Sequence, residues 1–298
     1  MEKLLFIYNP HAGKGRVRSK LAGILNAFTR AGCLVTVYPT QGPGDAAEAA
    51  RTLASGFDRV ACCGGDGTLH EVITGLLALP AERRPPVGYL PAGTTNDFSR
   101  NLSLPDGLEN MAAVAAAGTP RPCDVGRFDD QFFVYVAAFG AFTDVSYNTP
   151  QQFKNMFGHL AYVLKGVSEM ASLKGYRLRV EHDGGALEGE YLYGMVSNTV
   201  SVGGLIGLPS EEVSLDDGLL EAVLVPMPKT VADFQAAIRG LARQTYDAES
   251  GIVGLHSSRF TITCAEPVPF TLDGEYGGDH TRAEISAVSR PISIVYGT

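Results

Sequence analysis

A chain of 298 residues, 45% hydrophobic and 19% charged, is long enough for two globular domains and is not of disordered composition. Its formal net charge of −8, without any block of Lys or Arg, excludes a general nucleic-acid binder and opposes long-range attraction to an anionic membrane. No run of 18 apolar residues is present, and the first apolar run, LLFIY, is short and leads straight into NPHAGKG, so neither a membrane-spanning helix nor a signal peptide is expected. The five cysteines, Cys33, Cys62, Cys63, Cys123 and Cys264, lack zinc-site spacing. They are expected to be reduced, buried thiols of a cytoplasmic protein.

Taken in order, KLLFIYN reads as a buried strand and PHAGKGR as a turn. SKLAGILNAFTRAG reads as an amphipathic helix closed by Gly32. LVTVYPT is the next strand, GDAAEAARTLASG a helix, FDRVACC a third strand and TLHEVITGLLAL a third helix. PVGYLPAG is a strand and turn, and LENMAAVAAAG is helical. This alternation predicts a mostly parallel sheet with helices on both faces through about Thr119. After TPRPCDVGRF the pattern changes. QFFVYVAAFG, YRLRVEHD, GEYLYGMVSN, GLLEAVLVPM, SRFTITCA, VPFTLDGE and RAEISAV read as strands between Gly-, Asp- and Pro-rich turns. Helices are expected only over GHLAYVLKGVSEMASL and TVADFQAAIRGLAR. The expected division is an α/β domain over residues 1–122 and a β-rich domain over 123–298. The final strand, PISIVY, fits either domain.

Four polar clusters carry candidate chemistry. Asn9 to Arg16 follows the first strand, but GKGR matches neither the spacing of a phosphate loop nor a dinucleotide fingerprint. It is either a ligand-facing turn at a strand's carboxyl end or a solvated turn. Gly64-Gly65-Asp66-Gly67-Thr68 lies between a strand and a helix. Glycines there let a phosphate approach the backbone, and amides at a helix start attract anions. Asp66 suits either a structural cap or a metal that accompanies phosphates. Glu71, in the same helix's first turns, has a plain explanation in the helix dipole. The third cluster, Pro91 to Asp97, again follows a strand and offers Gly93, Thr94, Asn96 and Asp97. Three such turns on one sheet are expected to meet at one edge. The fourth is FTLDGEYGG. If it stays extended, Asp273 and Glu275 share a face and suit proton transfer and metal binding. If Asp273-Gly274 forms a β-turn, that premise is lost. Asp216 and Asp217 in SLDDGL suit a hard cation or a hairpin turn.

NPHAGKG, GGDGTLHE, PAGTTNDFSR, SLDDGL and LDGE, in that order, closely resemble the diacylglycerol kinase catalytic family, in its bacterial lipid-kinase branch. The resemblance spans almost the whole chain. It implies an N-terminal α/β domain like that of NAD kinases, a C-terminal β-rich domain, and a nucleotide in the cleft between them. By that resemblance Gly64, Gly65, Asp66, Gly67 and Thr68 wrap the phosphates of ATP, with Asn9 and Thr40 beside the nucleotide. Gly93, Thr94, Asn96 and Asp97 form the second nucleotide motif. Asp273 and Glu275 match the catalytic carboxylates, with Asp273 read as proton acceptor and Glu275 as its orienting partner, or the roles exchanged. On that reading Asp273→Asn keeps the fold and loses turnover. The Ser214 carbonyl, Asp217 and the Leu219 carbonyl match a structural Mg²⁺ site. NTVSVGG stands where the family usually has NG…GGG, so Thr199 replaces a glycine. The implied function is ATP- and Mg²⁺-dependent phosphorylation of a lipid hydroxyl, of diacylglycerol or a related lipid. The alternatives are a non-catalytic nucleotide sensor and a kinase of a non-lipid alcohol. The expected partners are the lipid substrate and, transiently, a membrane surface, with no nucleic acid and with room for a homodimer. The apolar stretch FKNMFGHLAYVLKGV suits either an acyl groove or ordinary core.

Overall fold

Strands built from consecutive Leu, Ile, Val and Cys need cover on both faces, which a parallel sheet under helices supplies. The computed structural model describes residues 1–140, 173–200 and 214–297. The chain divides into two units, Met1–Val125 with Ser289–Thr298, and Gly126–Val288. The expected helix over GHLAYVLKGVSEMASL, the stretch FKNMFGHLAYVLKGV and the glycines of NTVSVGG fall essentially outside the described residues.

In the first unit, β1 (Glu2–Tyr8), β2 (Cys33–Pro39), β3 (Arg59–Gly64) and β4 (Val87–Pro91) run parallel in the order β2-β1-β3-β4. Four helices connect or cover them: α1 (Arg16–Arg30), α2 (Asp45–Leu53), α3 (Asp66–Leu77) and α4 (Leu108–Ala117). Leu4, Phe6 and Tyr8 alternate onto one face, where they pack with Val17, Ile24 and Phe28 of α1 and with Leu108, Ala112 and Ala115 of α4. Those three α1 positions recur at helical spacing, and burying each such side chain stabilises the fold by roughly 1.5–3 kcal/mol. The chain leaves β1 for β2 on one side and later returns to β3 on the other. That reversal puts a topological switch point between the carboxyl ends of β1 and β3, where open α/β sheets take ligands.

β5 (Pro120–Phe128) runs from the first unit into the second. The second unit holds β6 (Gln131–Phe133), β7 (Val136–Gly140), β8 (Tyr176–His182), β9 (Gly185–Ser197), β10 (Leu220–Pro226), β11 (Val253–Ser257) and β12 (Arg259–Leu272). β13 (Glu275–Val295) begins there, and its last residues, Ile294 and Val295, pair parallel with β4. In the second unit β10 lies antiparallel between β9 and β11, and β12 pairs antiparallel with β7, β8 and β13. Phe128, Phe139, Phe260 and Phe270 anchor its core. α5 (Val231–Arg243) opens on a capping box in which the Thr230 hydroxyl accepts the Asp233 N–H and the Asp233 carboxylate accepts the Thr230 N–H.

Differences from the sequence reading have local causes. QFFVYVAAFG is two strands, broken at Val134 and Tyr135. SRFTITCA and VPFTLDGE join into one strand, β12, across a register shift between Thr263 and Val268. RAEISAV and PISIVY join into β13. β5 and β11 went unrecognised because Pro and Gly punctuate the first and the second is only five residues long.

Candidate active site

Three polar turns meet at the carboxyl edge of the parallel sheet. Asn9 follows β1; its N–H donates to the Cys63 carbonyl at 2.9 Å and its Oδ1 accepts the His11 N–H at 2.8 Å. Thr40 follows β2, is buried, and donates its N–H to the Tyr8 carbonyl at 2.9 Å. The second turn runs from the end of β3 into α3, with Gly65 in extended conformation just before the helix. The third follows β4 and is closed on itself: Gly93 N–H donates to Asn96 Oδ1 at 2.8 Å and Asn96 Nδ2 donates to the Gly93 carbonyl at 2.9 Å.

The turns brace one another. A Cβ on Gly93 would stand 2.6 Å from Gly65 Cα, so only glycine allows that backbone approach. A Cβ on Gly13 would meet the Ala92 carbonyl oxygen at 2.5 Å, and Gly13 also has φ +59°. Asp66 Oδ2 accepts the Asp97 N–H at 3.0 Å, and Tyr89 Oη approaches Asp66 Oδ1 at 3.5 Å and the Gly64 carbonyl at 3.4 Å. Asp66 therefore joins the second turn to the third. Thr68 is buried, and its side chain fills the space a Cβ on Gly64 would need. Gly67 is different: it is exposed, and nothing lies within 4 Å of the place its Cβ would take. Thr94 is exposed, while Asp97 is buried at 2% accessibility. First-turn amides of a helix lack intrahelical acceptors and carry the positive end of the dipole, so the start of α3 suits a phosphate.

Glu71 has a role that its sequence position did not suggest. Its carboxylate accepts the Gly44 N–H at 2.8 Å and the Ala46 N–H at 3.1 Å, which caps α2 instead of its own helix. Tyr89 escaped the sequence reading, and Gly13 lay within the Asn9 to Arg16 cluster without a role of its own. The one available signal for Tyr89 is a buried tyrosine two residues before a polar turn, whose hydroxyl needs a partner.

In the second unit, Asp273 and Glu275 do not sit on one extended strand. Leu272 pairs with Glu275, so Asp273-Gly274 is a two-residue hairpin turn with φ +51° and +89°. The extended premise is thus overturned by the strong turn preference of Asp-Gly. Asp273 is buried at 6% accessibility. Its Oδ2 accepts the Val134 N–H at 2.6 Å, and its Oδ1 accepts the Tyr135 and Val136 N–H groups at 2.9 and 3.0 Å. Those bonds are what interrupt QFFVYVAAFG. Glu275 is exposed at the start of β13, and among the described residues nothing is hydrogen-bonded to its carboxylate.

The SLDDGL loop leads into β10. Ser214 Oγ donates to Asp216 Oδ1 at 3.1 Å, and exposed Asp217 accepts the Leu219 N–H on Oδ1 at 2.9 Å. Two residues on, Glu221 is fully buried. Burial first, and the charge of Asp217 second, push its carboxyl up to about 8, with a weaker opposing pull from its own backbone N–H. Among the described residues no three His, Cys, Asp or Glu side chains group as metal ligands. A cation at this loop would accordingly rest on hydroxyl, carbonyl and water oxygens besides carboxylates, a donor set that suits a hard divalent ion. All five cysteines are buried free thiols, and burial pushes Cys63 up to about 12.

A braced, glycine-lined edge at the switch point of a parallel sheet is where an open α/β protein takes a ligand, and the chain's relatives place this one in the kinase class. Residues 3–128 match the family described as the diacylglycerol kinase catalytic domain, and residues 137–294 match the YegS C-terminal NAD kinase beta sandwich-like domain. A diacylglycerol kinase of Bacillus subtilis is 35% identical over 280 residues, covering 93% of this chain and 91% of that protein. A diacylglycerol kinase of Staphylococcus aureus is 32% identical, covering 91% and 85%. A crystal structure of a diacylglycerol kinase from Bacillus anthracis has a TM-score of 0.77 at 25% identity, covering 99% and 97% of the two chains. A second structure from that organism reaches 0.83 at 26% identity, covering 99% and 98%. The chain belongs to the diacylglycerol kinase family and is a lipid kinase that uses ATP. Among the described residues no helix is long and apolar enough to cross a membrane.

Proposed function

We propose that the chain transfers the γ-phosphoryl group of ATP to a free hydroxyl of diacylglycerol or a closely related lipid. The observation that carries this reading is the mutual bracing of the three turns, Gly13 on Ala92, Gly65 on Gly93 and Asp66 on Asp97. Positioned amides and glycine backbones of this kind stabilise phosphoryl transfer chiefly by orientation and charge. Gly64, Gly65, Asp66, Gly67 and Thr68 hold the phosphates, Gly93, Thr94, Asn96 and Asp97 hold the second side of the nucleotide, and Asn9 and Thr40 flank it. The acceptor oxygen bonds to the γ-phosphorus, the bond from that phosphorus to the bridging oxygen breaks, and ADP leaves.

Glu275 takes the acceptor's proton, because its carboxylate is exposed and has no hydrogen-bond partner among the described residues. Asp273 holds residues 134–136 in place with three accepted hydrogen bonds and acts as a positioning residue. Mg²⁺, when bound, supplies positive charge that offsets the charge on the phosphate oxygens. A second Mg²⁺ is assigned to the Ser214 and Leu219 carbonyls and Asp217, where hard oxygen donors gather at one loop. The chain works in the cytoplasm, as its reduced thiols suggest, with transient contact to the membrane surface that carries the lipid. A homodimer is retained as the expectation that light scattering tests.

Purified protein with ATP, Mg²⁺ and diacylglycerol in mixed micelles should form the phosphorylated lipid, detected by mass spectrometry. ATP binding without turnover across a broad lipid and alcohol panel would favour the sensor reading. A product set containing only water-soluble alcohols would overturn the lipid assignment.

A further inference from the structure

His280 follows Glu275 along β13, and both of its ring nitrogens face oxygen. Nε2 stands 3.0 Å from the Gly277 carbonyl oxygen, and Nδ1 stands 3.2 Å from Asp129 Oδ2. A neutral imidazole carries one N–H and satisfies one of these acceptors; a doubly protonated ring satisfies both. The acceptors belong to two different turns. Asp129 and Asp130 form the turn between β5 and β6, where Phe128 pairs with Gln131 and Asp129 has φ +50°. Asp129 Oδ1 accepts the Glu284 N–H at 2.8 Å, so swinging the carboxylate away from the ring would break that bond.

Gly277 is the extra residue of a bulge, because Phe270 pairs with Gly278 and Thr271 with Tyr276. Its carbonyl takes side-chain donors, His280 Nε2 and, at 3.3 Å, Gln131 Nε2. Gly278 has φ +106°, and a Cβ there would stand 2.8 Å from His280 Nε2, so glycine lets the ring close on the bulge. Bulges re-aim the side chains beside them, and this one follows directly on Glu275 and Tyr276. The ring is mostly buried, with Phe128 and Phe270 edge-on at centroid distances of 5.0 and 5.9 Å. The charged group that faces it is Asp129. Arg127 donates its Nε to the Asp129 carbonyl, Arg282 pairs with Glu284 at 2.7 Å, Asp279 takes the Tyr276 hydroxyl, and Asp130 is exposed. From β12, Val268 and Phe270 meet His280 without charge.

We propose that His280 is a positioning residue for Glu275: doubly protonated, it fastens the Gly277 bulge to the Asp129 turn and so fixes the direction in which β13 presents the Glu275 carboxylate. This rests on the reading of Glu275 as proton acceptor. When the second proton leaves for solvent, a ring lone pair faces one of the two oxygens, that bond is lost and the bulge loosens. The clamp is therefore present at lower pH and lost as pH rises.

The test uses the full chain, with nitrogen–proton NMR of the imidazole and phosphorylation of diacylglycerol in mixed micelles with ATP and Mg²⁺. His280 should show two ring N–H groups at about pH 6 and one at higher pH, and kcat should fall over the same pH range. A single ring N–H throughout would overturn the clamp. His280→Gln should lower kcat by about tenfold to a hundredfold, keep the KM for ATP, and lose the alkaline fall. A merely structural histidine would lower the melting temperature and leave kcat and its pH profile unchanged, which would overturn the inference. In a Glu275→Gln background, His280→Gln should cost no further turnover, since both act through one carboxylate; a full additional loss would break the link. Normal turnover in Glu275→Gln would overturn the proton-acceptor reading and the purpose given to the clamp. Normal kcat in His280→Gln beside an impaired Glu275→Gln would overturn this inference alone. Should His280→Gln fail to fold, Asp129→Asn carries the test. Asparagine tolerates the left-handed turn position, keeps an oxygen for the Glu284 N–H and turns its own N–H toward Nδ1. The ring should then carry one N–H at about pH 6, with kcat no longer falling as pH rises; a fall like that of wild type would overturn the clamp.

Discussion

Replacing Asp273 with asparagine leaves size and shape almost unchanged, and asparagine tolerates the left-handed φ of +51° as well as aspartate does. Backbone strain therefore contributes nothing, and the effect isolates one oxygen. Oδ2 now accepts the Val134 N–H at 2.6 Å. With the amide nitrogen in that place, two donors face each other in a buried turn. The two bonds to Tyr135 and Val136 survive as neutral hydrogen bonds, each about half as strong as the charge-assisted form. Losing one charged bond is worth about 1.5–3 kcal/mol, and the stranded Val134 N–H adds to that, so the expected loss is about 3 kcal/mol. For a domain of this size that lowers the melting temperature by about 6–12 °C. Thermal and urea unfolding measure it, with the urea midpoint falling at unchanged slope. Amide exchange at residues 134–136 should quicken in the folded protein. A melting temperature within about 2 °C of wild type would refute the assignment of Asp273 as the residue that holds this segment. The expectation that Asp273→Asn leaves the fold untouched depended on an extended strand, which the hairpin replaces.

Glu275→Gln should keep stability within about 0.5 kcal/mol and lower turnover by at least about a hundredfold with ATP binding retained. Normal turnover would remove Glu275 from the proton-acceptor role. Gly67→Ala should stabilise the fold by up to about 1 kcal/mol, since its Cβ meets nothing within 4 Å, yet weaken ATP binding measured by calorimetry. Unchanged ATP affinity would move the phosphates away from the start of α3. Gly93→Ala, by contrast, places a carbon 2.6 Å from Gly65 Cα and should cost about 1–3 kcal/mol together with nucleotide affinity. The buried thiols, with Cys63 pushed up to about 12 and Cys264 to about 11, should resist a thiol reagent at neutral pH until denaturant is added. Rapid labelling of the native chain would contradict their burial.

The alternation of strand, turn and helix through the first unit is legible in the sequence because each element there is set locally. Leu4 to Tyr8 are consecutive and buried, Val17, Ile24 and Phe28 recur at helical spacing, and Gly32 ends a helix with its positive φ. Glycine turns after strands could likewise be read as an edge that meets. Tertiary structure alone decided what each polar residue does at that edge. Asp66 reaches the Asp97 N–H across 31 positions, and Glu71 caps a helix that begins 26 positions before it. Asp273 draws its three donors from residues 137 to 139 positions away, so the sequence around LDGE carried no sign of them. Glu221 looks in sequence like one polar residue in an apolar strand; that it is fully buried appears only in the folded sheet, where β10 lies between β9 and β11. Hydrophobic period and turn chemistry act within a few residues and are written in the chain, whereas a carboxylate's role depends on which donors the fold brings to it.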